Sequence, residues 1–246
     1  MHAHYTDIHY SQSTYREVYP NESDNGNALP ERSKLSMVDD SLAALFVDDR
    51  SNGSHSRDPP PRTPSRHGCI ETPLIVSRWA SETLKYEGEV EGQGTDHSSS
   101  VKHVKSLASH CYSHNDVRAA VASGSFQTDG MIVVPCSMRA LSAVRTGHAD
   151  DLICRASDVT IKEHRRLVLV TRETPLSPIH LDNMLALARA QNVVIFPPMP
   201  AFYTRPKTLE DIVDQSVGRM MDMLGRESGR FPRWEGMGGT RASSKP

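Results

Sequence analysis

The chain has little cysteine, no long apolar run and almost no net charge, and each shortage removes a class of protein. Its 246 residues hold four cysteines, Cys69, Cys111, Cys136 and Cys154, scattered without a Cys-x-x-Cys pair or a matching histidine spacing. That argues against a disulfide frame or a structural zinc site and for reduced thiols inside a cell. The twelve histidines fall mostly in polar stretches, so no metal centre is expected. No stretch approaches the roughly 20 apolar residues that cross a bilayer. A net charge of -2 gives no electrostatic pull toward nucleic acid or an anionic membrane. The opening MHAHYTDIHYSQSTYREVYP lacks the apolar centre of a signal peptide, and Asp7 and Glu17 are foreign to an acid-poor transit peptide. The expected compartment is the cytoplasm.

What is present divides into two regions. A hydrophobic content of 37% is low for a compact α/β protein of this length, but the average hides a change of character near residue 69. Residues 1–68 are rich in Ser, Asn, Asp, Arg, His and Pro, and read as a largely disordered tail that cannot offset its ordering entropy. Within it, SMVDDSLAALFVDD at 36–49 spaces Leu42, Leu45 and Phe46 as on one face of a short, fluctuating helix. Residues 69–235 read as the folded domain and 236–246 as a flexible C-terminal tail.

In that domain, short apolar runs alternate with helical patterns. TPLIV opens with a strand at Leu74, Ile75 and Val76, followed by a helix to about Tyr86, and 87–100 is a Gly- and Ser-rich loop. VKHVKSLAS predicts a short helix or an irregular segment, and NDVRAAVAS at 115–123 a capped short helix. GMIVVPCS, LVLV at 167–170 and NVVIFPP predict buried strands. Helices are expected over 139–147 (closed by Gly147), 149–164 and 177–191. A long amphipathic helix ends at Gly225, with Val213, Val217, Met220, Met221 and Leu224 inward. Such alternation means βαβ crossovers: a three-layer, doubly wound α/β fold with a parallel sheet. Ligands of such sheets bind beyond the carboxyl ends of the strands, where PCS, TRE and PP stand.

Taken singly, the candidate residues have ordinary readings. Arg172 and Glu173 at a strand end are a structural ion pair or a catalytic pair. Lys162, Arg165 and Arg166 suit a solvated helix C-terminus. Cys136 reads as a buried inert thiol. SGS at 123–125 is a weak candidate for a phosphate turn. Tyr203 and Arg205 read as loop residues, and Trp234 as a packing anchor.

Together, SGSFQTDGMIVVPCSM, RASDVTIKEHRRLVLVTRETPLSPIHLDNML, VIFPPMPAFYTRP and DQSVGRMMDMLG closely resemble the UbiX-type flavin prenyltransferases, whose fungal members were long called phenylacrylic acid decarboxylases. The resemblance runs from about Glu71 to Trp234. It implies a Rossmann-like, flavodoxin-type domain assembled as a homo-oligomer, a dodecamer in the family, that joins a dimethylallyl group from dimethylallyl phosphate to FMN. The prenylated FMN serves a UbiD-type decarboxylase as partner. Carried over by position, Ser77, Ser137, Met138, Arg139, Ala140 (usually Thr) and Arg155 bind flavin. Lys162, Arg172, Tyr203, Arg219 and Trp234 meet dimethylallyl phosphate, some of them from neighbouring subunits. Glu173 and Glu89 are the catalytic acids. The family also makes a mitochondrial location an alternative.

One part of the family pattern is missing. The family opens with an apolar strand, a Gly-rich turn on the FMN phosphate and a helix; nothing in residues 1–70 matches it. The expectation is therefore a sheet without its first strand and helix, with weakened FMN binding. The alternative is a non-catalytic or degenerate subunit that forms a hetero-oligomer with an active homologue; direct decarboxylation of phenylacrylic acids is a third reading.

Overall fold

A computed structural model of the chain describes residues 43–49, 70–87, 98–229, 231–234 and 236. Among them are seven strands: β1 (Ala43–Asp49), β2 (Ile70–Glu71), β3 (Pro73–Val76), β4 (His110–Ser113), β5 (Gly130–Cys136), β6 (Arg166–Thr171) and β7 (Val193–Ile195). Six helices accompany them: α1 (Arg78–Glu87), α2 (Ser98–Ser106), α3 (Met138–Thr146), α4 (Leu152–Lys162), α5 (Pro178–Ala188) and α6 (Leu209–Met223). The strands form one sheet in the order β4-β3-β1-β5-β6-β7, with β2 paired to the far end of β1.

The helices form where caps and apolar periodicity coincide. Ser137, Asp151, Ser177 and Thr208 each accept a backbone N–H in the first turn of α3, α4, α5 and α6. Gly147 ends α3 in the left-handed conformation (φ 70°) that a residue with a Cβ resists. Alternate strand residues face opposite layers. Phe46, Ile75, Met131, Val133, Leu167 and Leu169 meet Leu141 and Val144 of α3, Leu152, Ile153 and Ala156 of α4 and Leu187 of α5. On the reverse face, Ile132, Val168 and Val170 meet Met220 of α6, while Leu74 and Val76 meet Ala80 of α1. This is the flavodoxin-like three-layer α/β fold.

Several expectations are corrected. The sheet is mixed, because β1 is antiparallel to both β3 and β5 while the pairs β3–β4, β5–β6 and β6–β7 are parallel. The central slot expected to be vacant is filled by residues 43–49, which are a strand and not a helix, inside the stretch read as a disordered tail. Ala44 and Phe46 point into one layer and are 0% and 2% exposed. Alternation wins here over the helical spacing of Leu42, Leu45 and Phe46, because both neighbouring strands offer a ladder and an apolar face. Residues 115–123 form turns with a short 3₁₀ segment at Ala120–Ala122. The edge strand β4, HCYS, carries no apolar run that would have announced it. Along α6, Gln215, Ser216, Gly218 and Met220 are buried, whereas Val213 and Val217 are only half-buried.

Candidate active site

Two parallel strands and one interhelical turn deliver three helix N-termini to one place. β3 runs into Ser77, which is 7% exposed and whose Oγ accepts the Ala80 N–H at 3.0 Å. β5 runs into Ser137, whose Oγ accepts the Ala140 N–H at 3.3 Å. The turn between α3 and α4 ends on Asp151, whose Oδ1 accepts the Cys154 N–H at 2.8 Å. All three caps line a cleft of about 450 Å³ together with Trp79, Arg139, Ala140, His148 and Asp150. The volume lies in the range of small-molecule sites, and three helix dipoles present their positive ends to it.

Of the residues assigned to flavin, Ser77, Ser137, Arg139 and Ala140 line this cleft. Arg139 is held there by Asp150, Nη2 to Oδ2 at 3.0 Å. Met138 packs against the core from the first turn of α3, and Arg155 pairs with Asp158 at 3.3 Å on α4; neither is part of the lining. Trp79, Thr146, His148, Asp150, Asp151 and Cys154 line it without having been anticipated. The one signal for them was the acidic pair ahead of LIC, a helix-capping pattern. Ligand atoms of Asp150, Asp151 and Cys154 lie within 4.8 Å of one another. Each is already engaged: Asp150 holds Arg139, Asp151 caps α4, and burial, with Asp151 beside it, pushes the Cys154 thiol up. Cys136 is 0% exposed and burial pushes its thiol up to about 12, as befits an inert core group.

The second group leaves the neighbouring strand. Cys136 pairs with Thr171, so Ser137 and Arg172 emerge side by side at one rim. Arg172 is half-buried, and the exposed Glu173 accepts the Thr174 N–H on Oε1 at 3.0 Å. Tyr203 and Trp234 stand edge to face with ring centroids 6.2 Å apart, both largely exposed. Arg219 donates to Asp222 at 2.9 Å. Lys162 is elsewhere. It ends α4, at the start of β6, while Arg172 follows the end of β6; six extended residues separate the two ends by about 20 Å. A crossover helix runs against its strands, so within one subunit the two cations lie at opposite edges of the sheet. Lys162 is paired there with Glu163 at 2.7 Å, which holds the Glu163 carboxyl below its ordinary range. The SGS turn is at the same edge, its Gly124 and Phe126 carbonyls accepting from Arg165 at 2.7 and 2.6 Å, so it takes no part in the cleft. Glu89 lies outside the described residues.

Residues fit for a flavin ring are thus present: polar caps and an aromatic (Trp79) around an open cleft. Among the described residues, no strand-turn-helix that would cradle a flavin phosphate stands at the centre of the sheet, where β1 enters at this rim with Ala43 opposite Val76 and Val134 and runs away from it.

Comparison with known proteins agrees. Residues 69–221 match the family described as Flavoprotein, and β1 precedes the matched stretch. Over 168 residues the chain is 56% identical to the mitochondrial flavin prenyltransferase PAD1 of Saccharomyces cerevisiae, covering 68% of this chain and 65% of that protein. It is 50% identical to a probable UbiX-like flavin prenyltransferase of Bacillus subtilis, covering 68% and 78%. Among solved structures, AnUbiX (PadA1) in complex with FMN and dimethylallyl pyrophosphate superposes with a TM-score of 0.61 at 52% identity, over 67% of this chain and 82% of that one. A dodecameric FMN-dependent UbiX-like decarboxylase from Escherichia coli O157:H7 gives 0.62 at 48% identity, over 68% and 84%. The chain spans just under two thirds of the yeast relative's length and more of the others. By the matched family and these identities, the chain belongs to the flavoprotein family, among its UbiX-like flavin prenyltransferases.

Proposed function

We propose that the chain is a flavin prenyltransferase that moves a dimethylallyl group from dimethylallyl phosphate to FMN, its working unit being residues 69–235 with β1. The observation that carries this is the meeting of Ser77, Ser137 and Arg139 in one cleft with Arg172 and Glu173 on the adjoining strand end. In this reading the caps of α1 and α3, with Arg139 and Arg155, hold the flavin. FMN, reduced beforehand by an external two-electron donor, would supply the electron-rich ring atoms that accept the allyl carbon.

The allyl C–O bond breaks and phosphate departs, its growing charge stabilised by Arg172, Arg219 and Tyr203. Lys162, at the opposite edge of the sheet, serves the cleft of another copy in a homo-oligomer. Glu173 moves the proton that the flavin ring releases, with Glu89 assisting. Trp234 covers the allyl group beside Tyr203. The product is suited to a UbiD-type decarboxylase. The proposed compartment is the cytoplasm, with mitochondria the alternative that the yeast relative's name raises.

Anaerobic incubation of the purified chain with reduced FMN and dimethylallyl phosphate, followed by mass analysis of the flavin, tests this; unchanged flavin overturns it. β1 favours a second reading, a subunit that needs an intact homologue, because it is antiparallel to β3 and β5 and so ends at the rim away from the cleft. Flavin absorbance separates the two: a colourless chain that takes up no added FMN is not an independent enzyme.

A further inference from the structure

Arg219 and Asp222 stand one turn apart on α6, and beyond that helix the chain turns at Gly225 (φ 73°) and comes back over the same helix. Arg226 fastens the start of this return, its Nη2 donating to Asp129 Oδ2 at 2.7 Å. Phe231 rests on Gly218, where any Cβ would collide with the ring. Arg233 then reaches Asp222 with two donors, Nη2 to Oδ1 at 2.7 Å and Nη1 to Oδ2 at 3.3 Å, while its guanidinium lies 5.7 Å from the centre of the Phe231 ring. Asp222 Oδ2 also accepts Arg219 Nη1 at 2.9 Å. The next residue along the return is Trp234, set edge-on to Tyr203.

One carboxylate is therefore shared by two guanidinium groups. The Asp222 side chain is 10% exposed, against 44% for Arg219 and 52% for Arg233. Bidentate, charge-assisted contacts of this kind fix orientation as well as energy. Helix energetics do not account for the residue, since a carboxylate in the last turn of α6 opposes the macrodipole. Its two arginines do. Arg233 already neutralises the carboxylate, so Asp222 orients Arg219 without cancelling the charge that Arg219 carries.

We propose that Asp222 is a positioning residue for the phosphate end of the site: it aims Arg219 and, through Arg233, latches the returning segment that sets Trp234 against Tyr203. This rests on the assignment of Arg219, Tyr203 and Trp234 to dimethylallyl phosphate. The latch gives those three residues, which come from separate parts of the chain, a common mechanical base.

The test combines calorimetric binding of dimethylallyl phosphate in the presence of FMN with hydrogen exchange of residues 226–234. Asp222→Asn is expected to weaken dimethylallyl phosphate about tenfold, the scale of losing one well-aimed charge-assisted contact. It should also speed exchange across 226–234 and leave FMN affinity as it was. Asp222→Glu should restore most of the binding. Arg233→Ala should speed the same exchange with a smaller loss of binding, because Arg219 keeps its carboxylate. Wild-type binding in Asp222→Asn, or wild-type exchange in Arg233→Ala, overturns the positioning role and leaves the prenyl-transfer reading standing. A wild type that binds dimethylallyl phosphate without prenylating reduced FMN overturns that activity and leaves the latch standing. A wild type that does not bind it overturns both.

Discussion

Glu173 is exposed at the end of β6 with one carboxylate oxygen on the Thr174 N–H, so a change of this side chain costs the fold little. Glu173→Gln should abolish prenylation, read by flavin mass, while FMN titration stays at wild type; loss of flavin binding would remove the assigned role. The buried thiols make the opposite prediction. In the folded chain Cys136 holds its proton to about 12, whereas an unfolded thiol releases it near 9.0. The stability this group contributes is complete below about pH 9 and is lost as pH rises toward 12, where the unfolded state has shed the proton and the folded state has not. Denaturant midpoints should therefore fall steadily across that window, and the fall should shrink in Cys136→Ala. At pH 8, iodoacetamide should label the exposed Cys111 well before Cys136 or Cys154, as read by peptide mass. That Cys136 is a core thiol was legible from its place between Pro135 and Ser137. The separation of Lys162 from Arg172 follows from the strand read at 167–170, which puts its two ends at opposite edges of the sheet, although the resemblance groups the two by role.

Among the elements, β1 matters most to the core. Phe46 is 2% exposed between two strands and the α3–α5 layer, so Phe46→Ala should cost about 3–5 kcal/mol, measured by urea unfolding. If residues 43–49 were dispensable the change would be near zero. Ser137 works on two levels, capping α3 and lining the cleft. Ser137→Ala should cost about 1 kcal/mol of stability and also weaken FMN, whereas the cap mutation Ser177→Ala, at the start of α5 and outside the cleft, should cost stability alone. The strands β5 and β6 and the helices α3 to α6 could be read from the chain because apolar runs, caps and stops agree there. β1 and β4 could not. Leu42, Leu45 and Phe46 fit a helical face as well as AALFV fits a strand, and only the two flanking strands decide between them. HCYS has no alternation at all and is a strand because β3 offers it an edge.

For the molecule as a whole, the exposed apolar side chains ask for a partner. Ile179 is 70% and Leu209 77% exposed, and Leu181, Leu185, Met199 and Phe202 add to them. In the homo-oligomer proposed above, Ile179→Asp should lower the mass seen by light scattering. It should also abolish prenylation, because Lys162 is no longer delivered to a neighbouring cleft. Mixing inactive Lys162→Ala and Arg172→Ala chains under conditions that exchange subunits should restore partial activity; two defects within one subunit's own site would not complement. Strand direction has its own consequence at this scale. Side chains alternate with a period of two whichever way a strand runs, so a reversed β1 presents the same two faces to the layers above and below and leaves their packing undisturbed. Its place in the chain bears on biogenesis. β1 is synthesised before every strand it pairs with, can close first on β2 and β3, and must keep its other edge open until β5 has been made. The centre of this sheet is thus a nascent-chain segment, AALFV, apolar and half-paired while the ribosome is still at work, the condition in which strand edges most invite a chaperone or a wrong neighbour.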